Sequence, residues 1–365
     1  MHDTPHTVIA QNLHCFQDLT LFADRYEYSD PDDLLGSGVF GVVYRAWDHN
    51  QKHPVALKLL KKGTAPTRAY EEAQVLTKLR SDYVLFIHNA ATADDIPYIT
   101  TDVAPGGSAE DHLKEHPFGV AADRAIAWTQ NALLGLASAH KSRIVHRDVK
   151  PGNIFLERPD WVLLGDFGVA GEMDDHGMVS SHGDTRICSP EMLSTGQGDL
   201  RSDIYSTGVT LYRLLSGRWP FEDPDPQALT AAVIAGACPP LRTVAPHIGQ
   251  ALGARVAKAM AVDPAARYQT AREMHEQLGR GPLVRRAWER IAPHPGHDCC
   301  WVEQAPMRGG TARFKACVSS TAGGRFELDC RRLTGLNKRV ADHCRLDLTA
   351  AELDRRVRIM FRGLG

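Results

Sequence analysis

The feature that most constrains this chain is the run HRDVKPGN, from His146 to Asn153, followed a short way on by DFG at Asp166 to Gly168. It supplies a carboxylate, an amide and a second carboxylate in fixed order: Asp148, Asn153 and Asp166. Phosphoryl transfer calls for that set, with one carboxylate beside an attacking hydroxyl and an Asn and an Asp to hold the Mg²⁺ ions that neutralise the phosphates. Either tripeptide alone is a weak signal. Their order and spacing, with a glycine-rich loop and a lysine upstream, form a set that chance does not readily assemble.

Upstream, LLGSGVFGVVY places Gly36, Gly38 and Gly41 in a G-x-G-x-x-G-x-V frame that ends at Val43. Apolar, β-branched flanks predict strand, glycine turn, strand. Without Cβ atoms the turn can close over phosphates and aim its N–H groups at them. A dinucleotide fold uses a similar frame, but there the third glycine opens a helix; here VVYRAW continues as strand. In VALKLL, Lys58 sits on a short apolar strand, where its charge needs an anionic partner to offset desolvation. The stretch TRAYEEAQVLTKLR has apolar residues at Ala69, Tyr70, Ala73, Leu76 and Leu79, which predicts a helix carrying two acids, Glu71 and Glu72, as candidate partners for that lysine.

Together these motifs resemble the eukaryotic-type (Hanks-type) serine/threonine protein kinases, in their bacterial form, over about residues 25 to 280. The resemblance implies an α+β, bilobal fold: a β-rich N-lobe over about 25–104 and an α-helical C-lobe over about 105–280, after an N-terminal extension, 1–24. It implies ATP as substrate, held by Gly36, Ser37, Gly38, Val39, Phe40, Gly41, Val43, Ala56 and Lys58. PYITTDVAPGGS matches the hinge, with Thr101 as gatekeeper and the adenine against the backbone of Asp102 and Ala104. The family's EAxxL run makes Glu72 the partner of Lys58. Asp148 becomes the base, Asn153 and Asp166 the holders of Mg²⁺ or Mn²⁺. Lys150, two residues after the base, is typical of serine/threonine kinases and neutralises the transferring phosphate.

The same resemblance makes His146 and Arg147 structural, with Arg147 able to pair with a phosphorylated activation loop. Ser189 to Glu191 stand where the family has APE, Asp203 matches the aspartate of the central helix, and Arg267 matches the partner of Glu191. Small-molecule kinases such as aminoglycoside phosphotransferases generally lack this segment, so a protein substrate is expected. One departure is GDTRICSPE: Asp184 occupies the position of the family's Thr, and Thr185 falls one residue late. Substrate positioning is where that departure bears. The alternative is a pseudokinase, a scaffold that binds nucleotide and partner proteins without transferring phosphate.

Between DFG and SPE the chain is polar and glycine-rich with no regular period, which predicts a mobile loop. Ser180, Ser181 and Thr185 are its phosphorylatable hydroxyls, and a phosphate would bring roughly two negative charges for Arg147 to read. His176 and His182 are expected to be solvated, and Cys188 to pack.

The length of 365 residues exceeds one ordinary domain. No apolar run is long enough for a membrane span, and the first residues lack a basic start with an apolar core, so the expected location is cytoplasmic with reduced thiols. The net charge of −2 hides an asymmetry, because residues 281–365 carry 16 Lys/Arg against 9 Asp/Glu. That region is expected to be a small α+β domain: a short bridging helix, three strands (CCWVEQ, ARFKACVSS, RFELDCRRL), glycine turns at 309–310 and 323–324, and a helix capped by Thr349 and Glu352.

Three roles compete for it. Cys299, Cys300, Cys317, Cys330 and Cys344, with His294, His297 and His343, are candidate zinc ligands, but no C-x-x-C pair occurs and strand interiors favour buried thiols. The basic residues Arg331, Arg332, Lys338, Arg339, Arg355, Arg356 and Arg358 could contact nucleic acid or simply form a solvated face. A docking module for protein partners is the most economical expectation.

Overall fold

The fold is a computed structural model that describes residues 19–38, 41–61, 79, 81–180, 184–281, 283–284, 286–303, 313–333 and 337–364. Val39, Phe40, Ser181, His182, the glycine turn at 309–310 and the predicted helix with Glu71 and Glu72 lie outside the described residues. Two compact units emerge, one of residues 1–77 and 86–103, the other of residues 78–85 and 104–365. The first is β-rich and the second mainly helical with an added C-terminal sheet, which bears out the α+β expectation.

Seven antiparallel strands build the first unit: β1 (Leu19–Phe22), β2 (Tyr26–Ser29), β3 (Leu34–Ser37), β4 (Gly41–Asp48), β5 (His53–Leu60), β6 (Ile87–Ala93) and β7 (Ile96–Thr101). Their order is β1-β2-β4-β5-β7-β6, with β3 pairing onto β4. Side chains alternate across a strand, so Val55, Leu57 and Leu59 of β5 join Tyr44, Ala46 and Tyr98 in one buried core with Phe22, Tyr26 and Tyr28. The opposite face carries Gly41, Val43, Ala56, Lys58 and Thr101, because Val43 is paired with Lys58 and Ala56 with Thr101. The strand alternation therefore gathers five of the predicted nucleotide-contacting residues on one surface.

Asp48, fully buried, closes the β4–β5 turn. It accepts from Arg25 Nε and Nη2 at 2.9 and 2.7 Å and from the backbone N–H of Asn50 and Gln51. Burial opposes its ionisation, but these donors win and hold the carboxyl at about 2. A depressed carboxylate contributes stability that is present above the unfolded-state value near pH 4 and is lost as pH falls through the folded value near 2. Asp48→Asn is therefore expected to cost about 2 kcal/mol at neutral pH. Urea unfolding of both proteins should show that difference shrinking as the pH is lowered from 5 towards 2.

In the second unit the helix Ala122–Lys141 buries Ala125, Trp128, Ala132, Leu136 and Ala139, an i, i+3, i+4 stripe. It packs against Leu200–Ser216, which is buried on nearly every side, as a helix at the centre of a lobe must be. That central helix starts with Asp199 capping Arg201 N–H and stops at Gly217. Gly217 has φ +70°, and a Cβ there would lie 2.1 Å from the Pro117 carbonyl oxygen.

The C-terminal region is a five-stranded antiparallel sheet in sequence order: Trp288–Ile291, Cys299–Glu303, Phe314–Thr321, Arg325–Arg332 and Arg345–Leu348. One face packs Trp301, Phe314, Ala316, Leu328 and Cys330 under the helix Ala350–Gly363. Thr349 and Glu352 form the expected capping box. Three strands and the helix match expectation; the bridging helix does not. Residues 288–291 form an edge strand instead, because Trp288 buries against the sheet and Glu289 reaches His116 at 2.7 Å. A further strand, Arg345–Leu348, closes the other edge.

Candidate active site

The catalytic loop is hung from the central helix. Asp203 is fully buried and accepts from the backbone N–H of His146 and Arg147 and from His140 Nε2, each at 2.8 Å. Burial works against its charge, yet these donors keep the carboxyl below the usual range. Two turns on, Thr210 Oγ1 donates to the Val149 carbonyl at 2.8 Å. The spacing of seven puts both anchors on one helix face, so the loop carrying Asp148 is fixed on either side of that residue. His140 and Thr210 were missed by motif reading, since neither lies in a motif.

A β-hairpin supplies the rest. Ile154–Arg158 pairs with Trp161–Leu164, Ile154 faces Leu164, and Gly165 N–H donates to the Asn153 carbonyl at 3.0 Å. Asn153 and Asp166, 13 apart in sequence, are thereby brought to the same open end of one short ladder. His146 Nε2 bonds the Gly165 carbonyl at 3.0 Å, and its ring packs on Phe167. Asp166 itself takes φ +56°, a turn that a non-glycine residue adopts only when its surroundings impose it.

Asp148 is 4% exposed. Its Oδ2 accepts from Lys150 Nζ at 2.7 Å and from Asn153 Nδ2 at 2.9 Å, while Asn153 Nδ2 also donates to the Asp148 carbonyl. Its Oδ1 is buried and accepts no hydrogen bond among the described residues. A buried carboxylate oxygen left over this way is ready for an incoming hydroxyl. Because the amide nitrogen of Asn153 is spent on Asp148, its Oδ1 remains as a hard oxygen donor. The Asp166 carboxylate is a second hard oxygen donor, and both are of the type that Mg²⁺ takes.

In the first unit, β3 and β4 hold the glycine turn between two strands, as expected, and Gly38 N–H donates to the Gly41 carbonyl at 2.9 Å. A Cβ at Gly41 would lie 2.0 Å from the Leu59 carbonyl oxygen, so only glycine lets β4 approach β5 there. Space around Gly36 and Gly38 is open. Asp102 N–H donates to the Phe86 carbonyl, its own carbonyl accepts from Thr101 Oγ1 at 3.2 Å, and its side chain meets His88 Nε2 at 2.7 Å.

Arg147 reaches the activation segment directly. Its guanidinium donates to the carbonyls of Val169 at 2.5 Å, Ala170 at 2.8 Å and Ser180 at 2.8 Å, and to the Ser180 hydroxyl at 3.3 Å. The segment is less irregular than its composition predicts: Gly171–Glu172 pairs with Ile144–Val145, and Val179–Ser180 with Gln197–Gly198. Cys188 packs with Val145, Val179 and Met192, as expected. Asp184, the departure from the family pattern, is gripped by Arg186 at 2.5–3.1 Å. Burial raises its pKa, but Arg186 and the nearby charge of Lys150 bring it below the usual range. A second carboxylate thus stays ionised beside Lys150.

Glu191 and Arg267 form the expected pair at 2.6 and 2.8 Å. Arg267 is 2% exposed, and its remaining donors reach the carbonyls of Ala261, Arg201 and Val262.

The protein kinase domain family model matches residues 30–277. The chain belongs to the protein kinase family. It is 32% identical over 278 residues to a probable serine/threonine-protein kinase of Clostridium perfringens, an alignment covering 72% of this chain and 40% of that protein. It is 33% identical over 274 residues to serine/threonine-protein kinase PknB of Mycolicibacterium smegmatis, covering 71% of this chain and 43% of the relative. With serine/threonine-protein kinase PrkC of Bacillus subtilis it shares 28% over 257 residues, 67% of this chain and 39% of the relative. The kinase-family chain thus spans about 40% of the length of the curated relatives it matches. Among its described residues, no helix is long and apolar enough to cross a membrane.

Proposed function

We propose that this chain is an ATP- and Mg²⁺-dependent serine/threonine protein kinase, with a kinase domain over about 25–280 and a distinct C-terminal domain over 281–365. The observation that carries this reading is Asp148: one oxygen is fixed by Lys150 and Asn153, and the other is buried and uncommitted. Asp148 orients a Ser or Thr hydroxyl and takes its proton as the oxygen attacks the γ-phosphorus, with ADP as leaving group. Lys150 stabilises charge on the transferring phosphoryl group. Lys58, oriented by pairing with Glu72, holds the α- and β-phosphates under the glycine turn. Asn153 and Asp166 hold Mg²⁺, which when bound neutralises the phosphate oxygens. Dependence on ATP places the protein, in this reading, in the cytoplasm.

Support for a protein acceptor comes from the Glu191–Arg267 pair, which braces the segment where a substrate peptide lies in this family. Ser180 is the activation-loop hydroxyl favoured here, because Arg147 already contacts it. The C-terminal domain is read as a protein-docking module more than a nucleic-acid binder. Part of its basic charge is matched by its own acids: Arg331 and Arg339 share Asp329, Arg325 meets Asp347, and Arg358 meets Asp354.

The test is incubation of the purified protein with labelled ATP and Mg²⁺, with and without a mixed protein acceptor, and mapping of the phosphate by mass spectrometry. Phosphate on Ser and Thr, Ser180 included, is the expected result. Nucleotide binding without any transfer, with Mg²⁺ or Mn²⁺, would establish the scaffold alternative instead.

A further inference from the structure

We propose that His294, His297, Cys300 and Cys317 form a structural zinc site in the C-terminal domain. Motif reading set these residues among eight candidates and favoured plain buried thiols for the cysteines. The fold selects four of the eight and brings their donor atoms together, all within 4.8 Å of one another.

Two features of local structure do this. Cys300 and Cys317 stand opposite each other on neighbouring antiparallel strands, on the sheet face away from the helix Ala350–Gly363, and their sulfurs are 3.2 Å apart. The segment before the first of these strands turns back over that face. His297 N–H donates to the His294 carbonyl at 3.0 Å, and Gly296 supplies φ +80° for the turn. Both imidazoles therefore come from one turn, and both present Nδ1 to Cys300 Sγ, at 2.9 and 3.7 Å; His294 Nδ1 lies 3.8 Å from Cys317 Sγ.

Those separations are the edges of a small tetrahedron. With zinc–sulfur bonds of about 2.3 Å and zinc–nitrogen bonds of about 2.0–2.1 Å, a tetrahedral site has edges of roughly 3.3–3.8 Å. The two shortest observed edges need to open by roughly 0.6 Å to receive the ion. Two thiolates and two imidazoles are the soft and borderline donors that select zinc over Mg²⁺ or Ca²⁺. On binding, the two thiol protons leave to solvent, and Zn²⁺ with two thiolates is neutral overall. That neutrality suits a place where Cys300 is fully buried and Cys317 is 4% exposed. Four protein ligands close the coordination sphere, so the role is structural.

The competing arrangement is a Cys300–Cys317 disulfide, but a disulfide gives no reason for two imidazoles to converge on the same sulfurs. Cys330 and Cys344 show the contrast. The Cys344 thiol donates to the Cys330 carbonyl at 3.2 Å, and no histidine joins them in a metal-binding group among the described residues.

The experiment is elemental analysis of the whole protein, expressed with zinc in the medium and freed of loose metal by gel filtration. One zinc per chain is expected. Cys317→Ser and His294→Ala should each reduce it at least tenfold, whereas Cys238→Ser and His112→Ala should retain it. A second measurement does not depend on variants that fold: wild-type protein loaded with Co²⁺ should show thiolate charge-transfer bands and the intense visible bands of a tetrahedral ion. Reduced wild-type protein that takes up neither metal would overturn the proposal, as would a Cys300–Cys317 disulfide peptide found by mass spectrometry, or zinc retained in Cys317→Ser. None of these readouts uses phosphoryl transfer, so they stand apart from the kinase reading.

Discussion

Replacing Asp148 by Asn is expected to lower the rate of phosphoryl transfer by about 10³-fold, close to 4 kcal/mol, with little loss of stability. The asymmetry comes from what surrounds the side chain. An amide oxygen at position 148 can still accept from Asn153 Nδ2, and Lys150, about one-third exposed, can turn to water. What the amide cannot do is take a proton from a hydroxyl at the position now facing Oδ1. The check is steady-state kinetics with a saturating protein acceptor, beside nucleotide affinity and thermal unfolding of the same variant. A fall in kcat with ATP affinity preserved is the expected pattern. Equal rates in both proteins would mean that Asp148 does no chemistry and would favour the scaffold reading.

Replacing Asp203 should act the other way, through the fold. Asp203→Ala removes the acceptor for two backbone N–H groups and His140 Nε2 in a fully buried setting. Leaving a buried polar group without a partner costs about 1–3 kcal/mol, and breaking a buried charged cluster about 3–5 kcal/mol. That is a large share of the roughly 5–15 kcal/mol that holds an ordinary domain together. Asn is no remedy, because its NH₂ would face a donor. Both variants are expected to unfold at much lower denaturant concentration, and the fraction still folded should be less active because the loop bearing Asp148 has lost one of its two anchors. A Thr210→Val variant, which removes the other, should show the same signature more weakly.

The proposed catalytic residues were legible because the proposed chemistry dictates residue type: phosphoryl transfer calls for the carboxylate, amide and carboxylate that Asp148, Asn153 and Asp166 supply in that order. The Glu191–Arg267 pair was legible for the same reason. His140 and Thr210 were not, since many residues can brace a loop, and only the packing of two helices shows which ones do. The segment around Trp288 reads as helix by propensity, with Arg, Ala, Glu and Leu prominent, and tertiary context overrides it: pairing with Cys299–Glu303 and the burial of Trp288 make it a strand. Strand register decides the cysteines. Cys299 and Cys300 are adjacent in sequence but point to opposite faces, and only pairing with Phe314–Thr321 brings Cys317, rather than Cys330, beside Cys300.

The seam between the helical lobe and the C-terminal sheet carries a consequence of its own. Glu289 bonds His116, Arg290 lies over the Phe118 ring, and Phe361 meets His247, whose ring burial pushes down to about 3, so that it stays neutral at any physiological pH. Joined this way, the lobe that holds Asp148 and the sheet that follows it should melt in a single cooperative step. Whatever binds the sheet then registers as heat resistance in the catalytic lobe, a form of communication that requires no moving part.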